Sequence, residues 1–160
     1  MTTSTDLKAL AAAQPAVAPH ARLLLEAAVT VASRQDLGRA PTGERFIIPI
    51  TGGAFWGGPG FEALRGHVVP GGADRQLLRA DGIKELDALY ELQCADGTVI
   101  TVRNRVLIDE GVSPRYARST IRLTAPDGPH AALNRRVVVG TLQTLRPQAE
   151  AVLVRMWLLE

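Results

Sequence analysis

Leu86-Asp87-Ala88-Leu89-Tyr90-Glu91-Leu92-Gln93-Cys94 runs into Ala95-Asp96-Gly97 and continues as Thr98-Val99-Ile100-Thr101-Val102-Arg103-Asn104-Arg105-Val106. Successive side chains of a strand point to opposite faces. Leu86, Ala88, Tyr90, Leu92 and Cys94 therefore share one face of the first run, and Ile100, Val102, Asn104 and Val106 share one face of the second. An Asp-Gly pair between two alternating runs marks a β-hairpin. A two-residue Asp96-Gly97 turn would set Tyr90 against Arg103 and Ala88 against Arg105, mixing charge into the apolar face. A three-residue turn with Gly97 left-handed sets Leu92 against Ile100, Tyr90 against Val102 and Ala88 against Asn104. It also places Glu91 opposite Thr101 and Asp87 opposite Arg105, with Arg103 diagonal to Glu91. Shared apolar faces and opposed charges favour this second register.

Working outward, further strands are expected over residues 23–31, 45–50, 65–69, 75–79, 116–124, 135–144 and 151–159. Turn signals separate them: Ala40-Pro41-Thr42-Gly43, Pro70-Gly71-Gly72, Ala80-Asp81-Gly82 and Pro126-Asp127-Gly128-Pro129. Many strands at near-regular spacing with Gly/Pro turns indicate a sandwich or a barrel. Ile50-Thr51-Gly52-Gly53-Ala54-Phe55-Trp56-Gly57-Gly58-Pro59-Gly60 and Pro70-Gly71-Gly72-Ala73-Asp74 read as two tight glycine-rich turns around the short strand at 65–69. Residues 1–19 read as an appendage. Thr3 and Asp6 stand at capping-box spacing, and a short helix would end before Pro15. The expected organisation is an N-terminal extension, 1–19, followed by one β domain, 20–160.

The 160 residues suffice for one domain with a real core. Eighteen basic residues against sixteen acidic ones leave a net charge of +2. The charges are dispersed, so nucleic-acid binding is not expected. No apolar run approaches a membrane-spanning length, and no membrane partner is expected. The alanine-rich stretch near residues 10–18 has a faint look of a secretion leader. Asp6 precedes it and Gln14-Pro15 interrupt it, so a cytoplasmic location is expected. The single cysteine, Cys94, permits no intrachain disulfide and reads as inert packing. No histidine pair has metal-ligand spacing, and neither a metal nor a cofactor is expected.

The motifs, in order, resemble a family known as domain of unknown function 3237. They are Gly52-Gly53-Ala54-Phe55-Trp56-Gly57-Gly58-Pro59, Pro70-Gly71-Gly72-Ala73-Asp74, Asp81-Gly82, Leu86-Asp87-Ala88-Leu89-Tyr90, Asp96-Gly97 and Ile100-Thr101-Val102-Arg103-Asn104. The resemblance runs from about residue 21 to 159. Arg75 stands where the family usually has an aromatic, and Leu89 where an Arg is common. The resemblance implies an all-β fold, a single antiparallel β-barrel of about eight or more strands, similar to the allene oxide cyclase and dirigent type. Such barrels hold small apolar molecules, and some steer cyclisation or isomerisation.

Three residues are candidate catalytic groups. Asp74 ends the second glycine turn, either as a turn-former bonding backbone N–H groups or as a carboxylate base at a cavity mouth. Tyr90 and Asn104 fall on the apolar face of the hairpin, either as a satisfied core pair or as donors lining a lumen. Candidate substrate contacts are Trp56, His67, Asp87 and Arg105. Trp56 and Phe55 are adjacent and must point to opposite sides. His67 has no triad companion by spacing. Asp87 and Arg105 form either a surface bridge or, with that face turned inward, a buried acid with its cation. The glycine-rich run lacks the Lys-Ser/Thr of a phosphate loop. The expected function is a cofactor-independent isomerase, cyclase or lyase acting on a small apolar oxygenated metabolite inside the barrel. A non-catalytic barrel that binds a small hydrophobic ligand is the alternative, and a purely structural oligomer a third. Self-association as a homo-oligomer is expected, with Arg118, Thr120 and Arg122 on one strand face.

Overall fold

The computed structural model describes residues 3–160. Helix α1 (Ser4–Ala12) starts at Thr3 with both halves of the expected capping box formed with Asp6. Ten strands follow: β1 (Ala21–Val31), β2 (Gln35–Ala40), β3 (Gly43–Gly57), β4 (Arg65–Val68), β5 (Ala73–Leu78), β6 (Lys84–Cys94), β7 (Val99–Asp109), β8 (Tyr116–Thr124), β9 (Val138–Thr144) and β10 (Ala151–Leu159). A short 3₁₀ turn, Ala131–Arg135, lies between β8 and β9, where the sequence pattern predicted the start of a strand.

All neighbouring strands are antiparallel, and β1 bonds to both β10 and β3, which closes a barrel. The eight staves are β1, β3, β4 with β5, β6, β7, β8, β9 and β10. Strands β4 and β5 make one stave between them, because both pair with β3 on one side and β6 on the other. The β6–β7 register is the one read from the sequence: Leu92 faces Ile100, Tyr90 faces Val102, Ala88 faces Asn104 and Asp87 faces Arg105. Gly97 is left-handed, at φ 89°.

The glycine-rich stretch corrects the reading given above. Residues 50–57 are not a turn but the second half of the 15-residue strand β3. Its first half pairs with β2 and β5, and its second half with β1 and β4. Glycine is needed because the backbones come close where the partners change. A Cβ on Gly53, at φ 133°, would lie 2.1 Å from the carbonyl oxygen of Ala28 on β1. Strand β2 was not expected: Gln35-Asp36-Leu37-Gly38-Arg39-Ala40 has no apolar alternation, and all but its last residue are exposed.

The barrel is packed at one end and hollow at the other. A bulge in β1 between Leu23 and Leu25 turns two consecutive leucines inward, and both Leu24 and Leu25 are fully buried. They meet Phe55, Leu92, Ile100, Val102 and Met156 in the packed half. Each such fully buried side chain contributes about 1.5–3 kcal/mol. Asn134 closes that end by bonding both the N–H and the C=O of Ala125.

Replacing Gly53 by Ala is expected to cost about 2–4 kcal/mol, since φ strain and a backbone collision add together. Gly97→Ala, strained in φ but with no atom within 4 Å of the new methyl, should cost about 1 kcal/mol. Denaturant midpoints of the two variants check the difference.

Candidate functional site

The hollow half is a cavity of about 600 Å³, walled mainly by Val29, Val31, Ile48, Ile50, Leu86, Val106, Ile108, Leu142, Val152 and Val154. Into this apolar wall project Asp74, Gln76, Tyr90 and Asn104. Register explains their grouping. Asp74 on β5 faces Ala88 on β6, Ala88 faces Asn104 on β7, and Tyr90 is two residues along from Ala88 on the same face. With strands about 4.8 Å apart, the backbones of Asp74 and Asn104 stand roughly 10 Å from each other. Only the methyl group of Ala88 lies between them. A close fit holds the pair of strands behind Tyr90: a Cβ on Gly72 would sit 2.6 Å from that of Tyr90. The Pro70-Gly71-Gly72 turn is fastened to β3 by the Ile50 N–H donating to the Gly72 carbonyl at 2.8 Å.

Three oxygens of this group, Asp74 Oδ1, Tyr90 Oη and Asn104 Oδ1, are buried and have no hydrogen-bond partner among the described residues. Leaving such atoms unmet costs about 1–3 kcal/mol each. The other carboxylate oxygen of Asp74 accepts a bond from Gln76 Nε2 at 2.7 Å. Burial raises the Asp74 carboxyl to about 6; the Gln76 side chain and the backbone N–H of Asp87 oppose the rise, and the charge of the Asp87 carboxylate adds to it. Tyr90 is 1% exposed. Burial first, and the Asp74 charge second, push its phenol well above the usual value, so it stays a proton donor. Gln76 was not anticipated. Its signal was available, since it sits two residues after Asp74 on the same face of one strand.

The other four candidates lie on the outside. Trp56 is 44% exposed while its neighbour Phe55 is buried. Its indole N–H donates to Glu26 at 2.7 Å, and Glu26 accepts from Arg155 Nε at 2.6 Å. Arg155 then donates to Gln143. This chain of bonds ties β3, β1, β10 and β9 together, and the Arg155 and Trp56 bonds hold the Glu26 carboxyl below its usual value. His67 is an exposed residue of β4 between Ala54 and Gln93. Asp87 faces outward. Its bidentate partner is Arg103, at 2.8 and 3.0 Å, while Arg105 stands off at 3.7 Å. Neither Asp87 nor Arg105 is among the side chains lining the cavity.

One group among the described residues could offer three metal ligands: Cys94, Asp96 and His130, with ligand atoms within 4.8 Å of one another. It lies at the packed end, away from the cavity. His130 Nε2 and Asp96 Oδ2 are 3.0 Å apart and pin the β6–β7 turn to the segment before the 3₁₀ turn. The histidine comes from 34 residues further along the chain, beyond the reach of a spacing rule.

The sequence matches the family described as Protein of unknown function (DUF3237) over residues 19–159, and the chain belongs to that family. A UPF0311 protein of Rhodopseudomonas palustris is 43% identical over 67 residues, which are 42% of this chain and 41% of that protein. The aligned part thus spans about two fifths of that relative's length. The crystal structure of a conserved protein of unknown function from Rhodopseudomonas palustris superimposes with a TM-score of 0.80 at 25% identity, covering 91% of this chain and all of that one. An enzyme from Penicillium herquei shares the fold with a TM-score of 0.72 at 21% identity, over 92% of this chain and 98% of its own. No helix among the described residues is long and apolar enough to cross a membrane.

The raised pKa of Asp74 has a measurable consequence for stability. The folded state holds this proton more tightly than the unfolded chain does, so ionising Asp74 opposes folding. The penalty is absent below about pH 4, grows between about pH 4 and 6, and is complete above that. Asp74→Asn should therefore be more stable than the parent at neutral pH, by on the order of 2 kcal/mol, with the gain vanishing near pH 4. Unfolding midpoints of both proteins across this range test it.

Proposed function

We propose that the chain is a cofactor-independent acid–base enzyme of the isomerase, cyclase or lyase type, acting on a small, mostly apolar, oxygenated molecule within the barrel. The observation that carries this reading is the grouping of Asp74, Tyr90 and Asn104 around Ala88, each with an unpartnered buried oxygen on the wall of the cavity. Ser119 Oγ and Trp157 Nε1 are also buried without partners among the described residues, but they stand apart from this cavity, whereas these three oxygens converge on one open wall. The Penicillium herquei protein, described as an enzyme, has a barrel of the same fold.

The division of labour follows from the environments. Asp74, titrating at about 6, is ionised at neutral pH yet more basic than a surface carboxylate, which suits a general base. It takes a proton from carbon next to a carbonyl, or from a hydroxyl. The Tyr90 O–H and the Asn104 Nδ2–H donate hydrogen bonds to the oxygen on which negative charge develops, in a site of low polarity where such bonds are strong, and the free Asn104 Oδ1 accepts from a hydroxyl of the ligand. Return of the proton to another carbon gives an isomer. When the proton comes from an internal hydroxyl, that oxygen adds to the β-carbon of a conjugated carbonyl and the resulting enolate takes the proton back at its α-carbon, giving a ring; when the enolate instead expels a β-substituent, which leaves with the proton, the product is an alkene. Gln76 fixes the carboxylate rotamer through its 2.7 Å bond.

The test is proton exchange rather than product identity. Small phenolic and lactone metabolites and cyclic enones are incubated with the protein in heavy water, and deuterium at the carbon next to the carbonyl is followed by NMR. Native protein should catalyse exchange of those that bind. The rate should rise with pH through about 6 and then level, because the base must be unprotonated. Asp74→Asn should lose about a hundredfold or more with binding intact. Tight binding of panel members with no exchange by the native chain would make the barrel a carrier instead.

A further inference from the structure

The mouth of the cavity is built by the first residue of β6, the β7–β8 loop and the β9–β10 loop, which bring Lys84, Glu110, Arg115 and Arg146 to its rim. Lys84 Nζ and Arg115 Nε approach the same oxygen of Glu110, at 3.6 and 3.7 Å. Those distances exceed the roughly 2.7–2.9 Å of a charge-assisted hydrogen bond. Three ion pairs elsewhere in this chain close fully, Arg155 to Glu26 at 2.6 Å, Arg103 to Asp87 at 2.8 Å and Arg146 to Glu150 at 2.7 Å, while Arg105 to Asp87 and Arg39 to Glu44 stay open at 3.7 and 4.0 Å. At the rim, two cations share one carboxylate and neither is fully engaged.

We propose that this rim is an anion-recognition site, and that the cavity takes apolar molecules carrying a carboxylate or another acidic group at the end opposite their reacting oxygen. The inference rests on the reading of the cavity as a ligand site and adds the class and direction of the ligand. Cations at the opening of a low-dielectric pocket concentrate the field along its axis and draw anions to it. The deep end repels them, since an acid group lowered beside ionised Asp74 would set two negative charges together. The apolar stretch between rim and floor fits a hydrocarbon body. A molecule of this pattern therefore enters in one orientation, with its acid outside between Lys84 and Arg115 and its carbonyl or hydroxyl at Tyr90 and Asn104.

Two fluorescent probes that differ by one charged group test this: anilinonaphthalene sulfonate and the uncharged phenylnaphthylamine. Both are titrated into native protein and into the double variant Lys84→Gln/Arg115→Gln. The two side chains are 35% and 42% exposed, and circular dichroism of the variant checks that it folds. The sulfonate should bind native protein about tenfold more tightly than the neutral probe, one ion pair's worth of affinity. Added salt and the double variant should each erase that preference and leave the neutral probe unchanged. If the neutral probe binds and the sulfonate gains nothing, or keeps its gain in the double variant, the anion site is wrong while the cavity stands. If neither probe binds, the cavity reading and the inference fall together.

Discussion

Closure of the barrel depends on one strand changing partners part-way along its length. Strand β1 must bond to β10 on one edge and to β3 on the other, or the sheet stays open. Strand β3 reaches β1 only with its second half, because its first half is bonded to β2 and β5. At the crossing, Gly53 lies so close to the Ala28 carbonyl that no side chain fits. Twisted sheets close when such kinks are placed at corners. The outer ladder from Trp56 through Glu26 and Arg155 to Gln143 then crosses the closing seam, binding four successive staves with charge-assisted bonds. Closure removes the free edges of the sheet along β1 and seals the wall of the cavity.

The same closed wall is filled unequally. Along β6 the inward residues are Leu86, Ala88, Tyr90, Leu92 and Cys94, and on β7 they are Ile100, Val102, Asn104, Val106 and Ile108. Below Tyr90 the β1 bulge adds an extra leucine, and the lumen is solid. Above it, alanine on β6 and short β-branched residues from β1, β3 and β10 leave the lumen open. Tyr90 is thus the floor of the cavity as well as a donor within it. Polar groups at a floor are shielded from bulk water by the whole depth of the pocket, where a hydrogen bond to a developing charge counts for more.

How far the sequence could be read follows from the kind of information each feature carries. The β6–β7 register was legible because it is local: alternation fixes the faces, and Asp96-Gly97 fixes the turn. From it came the placement of Tyr90 and Asn104 on one inward face. Strand β3 was misread because its glycines answer to Ala28, a partner that no local pattern reveals. Strand β2 escaped notice because it packs little apolar surface and follows from its pairing with β3 alone. His67 and Trp56 carry side chains able to bind a substrate, but chemistry of type says nothing of direction, and both point to solvent. Gln76 and the rim cations were overlooked for the opposite reason. They are ordinary residues made significant by the cavity they face.

Asp74 and Asp87 show how the fold sorts two similar residues into different work. Each belongs to a strand of the same β5–β6 pair, and Asp87 is one residue from Ala88, the residue that faces Asp74. One step along a strand reverses the direction of the side chain. Asp87 emerges on the outer surface, where Arg103 first, and then Arg105 and Arg75, hold its carboxyl below the usual range. Asp74 enters the cavity, where burial raises it to about 6. The outer carboxylate is committed to a cation, which lowers its basicity and occupies both oxygens. The inner one keeps an oxygen free and gains basicity first from its burial and then from the negative charge of Asp87. Two carboxylates driven apart in this way cannot exchange roles. Under the proposed function, a proton taken from a bound molecule goes to Asp74, and the arginines on the far side of the sheet act only on the architecture that holds it in place.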